Sequence, residues 1–255
     1  MTDFGEDDFF VASLKAVILS INPEARIVDI THQVHSFDVR SAAFILFSCY
    51  KFFPRETIFL TVIDPGVGSS RRILLVETKN YFFIAPDNGL LSFVLENEDS
   101  PLIREMTNPR FFLSKPSLTF EARDKMAPVA AWLSTGVGCS EFGPQTSEYK
   151  KFSILKPRRL GKEIVGSILY IDKFGNLITN ISGEMVCGQT KGQISLLTRG
   201  KEITSFEETF SSAKKGELFF LVGSLGFIEI AAREASAAKK LKARTGDEVR
   251  IKTRD

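Results

Sequence analysis

The chain is poor in the residues that build metal centres and disulfide frameworks: three cysteines and two histidines in 255 residues. Cys49, Cys139 and Cys187 are odd in number and show no paired spacing, so neither a disulfide framework nor a zinc site is indicated. With only His32 and His35 besides, no transition-metal centre is expected. Long apolar runs are missing too, none reaching the roughly 18 residues that mark a membrane span. The opening MTDFGEDDFF lacks the basic and apolar pattern of a signal peptide. Charge of one sign is also scarce. A net +2 gives no reason to expect a polyanionic partner. KPRR (156–159) and KKLKAR (239–244) read as a solvated linker and a solvated helix face. The expectation is a cytoplasmic protein with no nucleic-acid or membrane partner.

What is present suits a folded protein of one large domain and one smaller one: 44% apolar and 25% charged residues, with 23 phenylalanines to fill cores and interfaces. FFVASLKAVILSIN (9–22) has helical spacing and stops at Pro23. ARIVDIT (25–31) reads as a strand. Val39, Ala42, Ala43, Leu46, Phe47 and Tyr50 lie on one face of a helix that Pro54 ends. TIFLTVID, ILLVETK and YFFIAPD read as strands, LLSFVLEN and residues 124–136 as helices. The alternation predicts an α/β sandwich with a mostly parallel sheet over residues 1–142. A polar, proline-punctuated linker follows at 143–161, and short strand-like runs over 162–255 predict a smaller β-barrel-like domain.

Chemistry concentrates in four places. IDPGVGSSRR (63–72) sets Asp64 at the end of an apolar strand, then a glycine turn, then Arg71 within reach of a fold back toward it. A turn with solvated charges is the plainer reading. TDFGEDD (2–8) includes Asp7 and Asp8, which suit a helix N-terminus, and Asp3, whose carboxylate suits a diol. PDNGLL (86–91) serves equally as a polar tip or a helix start. TFEARDKMAP (119–128) holds Arg123 and Asp124, which pair or cap in the plainer reading. IDKFGNLITNI (171–181) offers a carboxylate, an aromatic ring and amides around a glycine turn.

In this order, with IVDITH and GSLGFIEIA added, these motifs resemble the S-adenosylmethionine (SAM) hydroxide adenosyltransferase family, hydrolases related to fluorinating and chlorinating enzymes. The resemblance spans nearly the whole chain. It implies SAM as substrate, no cofactor and no metal, and a homotrimer with the site between subunits. It assigns Asp3 to the ribose hydroxyls, and Asp172, Phe174 and Asn176 to the methionine amine and the adenine ring. Ser224 falls to the methionine carboxylate, and the main chain around Ala232 and Glu234 to the adenine edge. Leu225 stands where halogenating relatives carry arginine. Asp64 and Arg71 match two members of the hydrolase's polar triad. Glu121 stands where the family has histidine, and Ala122 where it has glycine. Relatives also carry an apolar strand before TDFG; either the start at Met1 is late or that strand is absent, and its absence would leave backbone groups of its neighbours without partners.

The reaction so implied is attack of water at ribose C5′ with methionine as leaving group. The nucleophile must lie in line, within about 3–3.5 Å, and a carboxylate that draws on its proton contributes about 10²–10⁴-fold. A halide beside Asp64 would instead be repelled, by roughly 4 kcal/mol at about 4 Å and an effective dielectric of about 20. Glu121 is expected to pair with Arg71 or to share a proton with Asp64. The alternatives are a SAM- or adenosine-binding protein without turnover and a homologue that neither binds nor reacts.

Overall fold

The computed structural model describes residues 1–188 and 192–253, which divide into two compact units, 1–153 and 154–255. In the first, a four-stranded sheet is covered on both faces by helices. The elements are α1 (Phe10–Ile21), α2 (Val39–Cys49), β1 (Thr57–Leu60), β2 (Ile73–Glu77), β3 (Tyr81–Pro86), α3 (Ser92–Asn97), β4 (Leu102–Glu105) and α4 (Ala127–Ser134). Side chains alternate along β2 as a pleated strand requires. Leu74 and Val76 join a core with Ala42 and Leu46 of α2 and Val94 of α3. Ile73 and Leu75 join another with Leu14 of α1 and Ala130 of α4. Both faces are therefore dry, which explains why these strands read as continuous apolar runs.

The strand order is β1-β3-β2-β4. The sheet is mixed: β1 and β3 run parallel, while β2 is antiparallel to β3 and β4. The short Thr78–Asn80 connection dictates the hairpin, and the Tyr81 N–H donates to Thr78 Oγ1 at 3.0 Å. Asp38 caps α2 by accepting from Ser41 N–H at 3.0 Å, and a short 3₁₀ turn carries that helix on to Phe52.

The strand expected at ARIVDIT does not form, which corrects the sequence reading. Strand propensity is worth nothing without a ladder partner, and residues 25–30 have none. They line a cleft of about 800 Å³ that also exposes Ile58 and Leu60 of β1. Met1 and Thr2 alone bridge the gap at its end, Thr2 N–H donating to Thr31 O and Val62 N–H to Met1 O.

The second unit is an antiparallel sheet rolled toward closure. Its elements are β5 (Arg158–Leu160), β6 (Glu163–Ile171), β7 (Leu177–Ser182), β8 (Ile194–Thr198), β9 (Lys201–Ile203), β10 (Leu218–Val222), β11 (Phe227–Ala232), α5 (Ala237–Leu241) and β12 (Glu248–Thr253). The order runs β10-β11-β7-β6-β12-β8-β9, with β5 on β6. Phe220 N–H donates to Ser205 O and Glu207 N–H to Phe220 O, which ties the segment after β9 back to β10. The interior holds Ile164, Leu177, Ile194, Leu196, Ile228 and Ile230. The sequence-derived class, an α/β unit followed by a smaller barrel-like one, is the observed class. The first sheet, however, is mixed and not mostly parallel as the alternation predicts, because the short hairpin connection between β2 and β3 leaves β2 running against both β3 and β4.

Candidate functional site

The glycine turn after Val62 does bring Arg71 back onto Asp64. Gly68 sits at φ +77, and a Cβ there would lie 2.7 Å from the Leu118 carbonyl, so only glycine lets the turn pack against that segment. Arg71 Nε donates to both Asp64 oxygens at 2.9 Å, and its Nη2 to Oδ2 at 2.5 Å. The same Nη2 donates to Glu121 Oε2, and Lys125 Nζ donates to Glu121 Oε1 at 2.5 Å. The Asp64, Arg71 and Glu121 side chains are 7%, 5% and 5% exposed. Glu121 therefore pairs with Arg71, and a proton shared with Asp64 is not the arrangement found.

Two carboxylates and two cations balance in this cluster. Burial alone would raise the Glu121 carboxyl, but Lys125 and Arg71 outweigh it and hold it below the ordinary 4.5. Burial likewise opposes the Arg71 cation, and the flanking carboxylates push its pKa up nonetheless. Glu121 is presented by a helix that runs through a π turn, Ala122–Met126, into α4. Such turns recur at functional sites.

The neighbouring motifs also make contacts within this unit. Arg72 Nη2 lies 2.8 Å from Asp87 Oδ2, and Asn88 Nδ2 donates to Ile63 O at 2.8 Å, so the PDNG turn is fastened to the IDPG turn. Arg123 pairs with Asp124 at 2.5 Å, as the plainer reading had it. Asp3 accepts from Phe37 N–H at 2.9 Å.

The residues expected from the second half of the chain gather around one cleft of about 990 Å³, which Asp172, Phe174, Asn176, Ser224, Ala232 and Glu234 line. Asp172 shapes the turn between β6 and β7: its Oδ1 accepts from Phe174 N–H at 2.9 Å and Asn176 N–H at 2.8 Å, and its Oδ2 from Asn176 Nδ2 at 2.9 Å. Phe174 is 67% exposed, a ring presented rather than packed. Glu234, at φ +54, holds Lys215 Nζ at 2.9 Å. Asp64 lines neither this cleft nor the one beside β1.

Sequence reasoning missed two members. Lys125 lies four residues after Glu121, a spacing that signals a helical ion pair. Glu229 also lines the cleft, as the one acid within the apolar run FIEIAA. Among the described residues no three His, Cys, Asp or Glu side chains group as a metal site requires, and no helix is long and apolar enough to cross a membrane.

Residues 1–143 match the family profile described as SAM hydroxide adenosyltransferase N-terminal domain, and residues 166–250 that of its C-terminal domain. The chain is 32% identical to an (R)-S-adenosyl-L-methionine hydrolase of Methanocaldococcus jannaschii, covering 98% of this chain and 93% of that one. It is 30% identical to a fluorinase of an Actinoplanes species, covering 96% and 94%. A crystal structure of an uncharacterized conserved protein from Thermotoga maritima superposes with a TM-score of 0.93 at 37% identity, over 98% of this chain and 97% of that one.

Proposed function

The chain belongs to the SAM hydroxide adenosyltransferase family, and within it we propose that the protein hydrolyses SAM to adenosine and L-methionine by attack of water at ribose C5′. The observation that carries this reading is the buried Asp64–Arg71 pair at the end of the β1 run. A sulfonium leaves readily and needs no acid, so the protein's task is to hold and activate water. A carboxylate has about four acceptor sites. Arg71 fills three of those on Asp64, one from Nε to Oδ1 and two, from Nε and Nη2, to Oδ2. One acceptor site remains for a water, whose proton Asp64 draws on as the attack proceeds.

Glu121, which stands where the family has histidine, acts in this reading by fixing Arg71. The Asp64 carboxylate would repel a halide held beside it, which favours hydrolysis over halogenation. Asp3 would hold the ribose hydroxyls. In the second unit Asp172, Phe174 and Asn176 would serve the methionine amine and the adenine ring, Ser224 the methionine carboxylate, and the main chain at Ala232 and Glu234 the adenine edge. No cofactor is assigned. A cytoplasmic homotrimer with the site between subunits completes the reading.

Binding without turnover is the second reading. It is favoured by the engagement of both Asp64 oxygens and by glutamate in the histidine place. Incubation of the full chain with SAM, with adenosine and methionine read by chromatography, separates the two. Equimolar release of both products is the expected result. SAM bound and recovered intact would establish the second reading and sink the first.

A further inference from the structure

The helix that presents Glu121 carries a second charged side chain four residues on. Lys125 Nζ donates to Glu121 Oε1 at 2.5 Å, while Arg71 Nη2 donates to Oε2, so the carboxylate spans two cations. Gly68 N–H lies 3.4 Å from the same Oε2. The cations of this region differ in what else they hold. Arg71 also serves Asp64 through three contacts, and Arg123, the other cation of the π turn, is taken by Asp124. Lys125 serves Glu121 and sets its ammonium over the Phe112 ring, 5.7 Å from the centroid.

A count of charges shows what the lysine changes. Without it, one guanidinium would face two buried carboxylates, and a buried cluster with net negative charge takes up a proton more readily. A proton on Asp64 would remove the base that activates water. A proton on Glu121 would weaken its grip on Arg71. With Lys125 in place the cluster is neutral and neither proton is called for. The lysine also enters at modest cost. Its side chain is 22% exposed against 5% for Glu121, so the ammonium keeps part of its hydration where the carboxylate has given up nearly all.

We propose that Lys125 is a positioning residue of the hydrolysis site, matching the charge of Glu121 so that Arg71 is left to hold Asp64 ionised and aimed. The proposal rests on the hydrolysis reading above and deepens it: glutamate works at position 121 because a lysine stands four residues further along the same helix. Lys125 acts through Glu121 and Arg71, not on the substrate.

The groups facing Glu121 are consistent with this. From its own helix comes Lys125, from the glycine turn Arg71, and beyond Arg71 lies Asp64. Burial raises the Glu121 carboxyl, and Lys125 and then Arg71 bring it below the ordinary 4.5.

The test compares wild type, Lys125→Met, Lys125→Arg, Glu121→Gln and the double variant Glu121→Gln/Lys125→Met. Methionine keeps an unbranched stem against Phe112 and drops the charge. Adenosine release from SAM and melting temperature are both followed against pH. Lys125→Met is expected to move the acid limb of kcat/KM upward by about 1–3 pH units, and Lys125→Arg to leave it in place. With glutamine at 121 the same methionine substitution is expected to move the limb by no measurable amount. The melts carry a parallel expectation. The wild-type carboxyl is held below 4.5, so what Lys125 adds is present above that value and lost as pH falls through the lower folded one. The melting curves of wild type and Lys125→Met should therefore converge in acid.

An acid limb that stays in place, or that moves equally with glutamine at 121, overturns the proposal. So do melting losses that are the same at every pH, which is what a merely structural lysine would give. Should Lys125→Met fail to fold, Lys125→Gln, which keeps a donor and drops the charge, takes its place under the same criteria. A wild type that releases no adenosine sinks the hydrolysis reading, and the melts then decide by themselves whether Lys125 matches the charge of Glu121.

Discussion

The acid cluster of the first unit and the acid-lined cleft of the second solve opposite problems with the same side chains. Around Arg71 every carboxylate is matched: Asp64 and Glu121 face Arg71, and Lys125 closes the set. In the cleft Glu229 is buried to a similar degree and, among the described residues, left unmatched. Paired acids organise the backbone around them and are ready before any ligand arrives. An unpaired one is a cost in the empty protein. The first arrangement suits positioning a neutral water.

The contrast can be broken by removing charges from the matched side. The largest effect is expected at Asp64: Asp64→Ala should lower the rate of adenosine release by about 10²–10⁴-fold while the protein still binds SAM. An unchanged rate would remove Asp64 from the chemistry. Next comes Arg71→Met, which strands the buried Asp64 carboxylate and leaves Glu121 with Lys125 alone. A loss of about 3–5 kcal/mol in denaturant-melt stability is expected, and a loss under about 1 kcal/mol would mean that the cluster is solvated after all.

The smallest effect, and the most informative about charge, is expected at Glu121→Gln, at about 1.5–3 kcal/mol near neutral pH. The native carboxyl is held below the ordinary 4.5, so its contribution is present above that value and lost as pH falls through the lower folded one. The stability curves of wild type and Glu121→Gln should therefore converge in acid. Parallel curves across that range would show that Glu121 stabilises by shape and not by charge.

Much of this contrast could be read from the sequence on the matched side. A carboxylate closing an apolar strand, a glycine turn and an arginine seven residues on imply a return contact, and Gly68 shows why the turn needs glycine. The unmatched side was harder. Ile228 and Ile230 point into the barrel, so period-two alternation sends Glu229 to the opposite face, which in a small β domain reads as solvent. Only the arrangement of β10 and the turn after β6 turns that face into a cleft wall, and no local pattern encodes it. ARIVDIT failed for a related reason: a strand exists through its neighbours, and sequence propensity reports only its own side of the pairing.

The π turn at Ala122–Met126 gives the matched side a peculiar dependence on counting. Such a turn is an ordinary helix with one residue too many, so deleting a single residue there would let the winding revert to its regular repeat. Everything upstream would then swing by about 100° around the axis, carrying the Glu121 carboxylate off Arg71 while Ala127–Ser134 kept its seat. A change in chain length of one residue, with no charge altered anywhere, would uncouple the acid from the base as completely as replacing it.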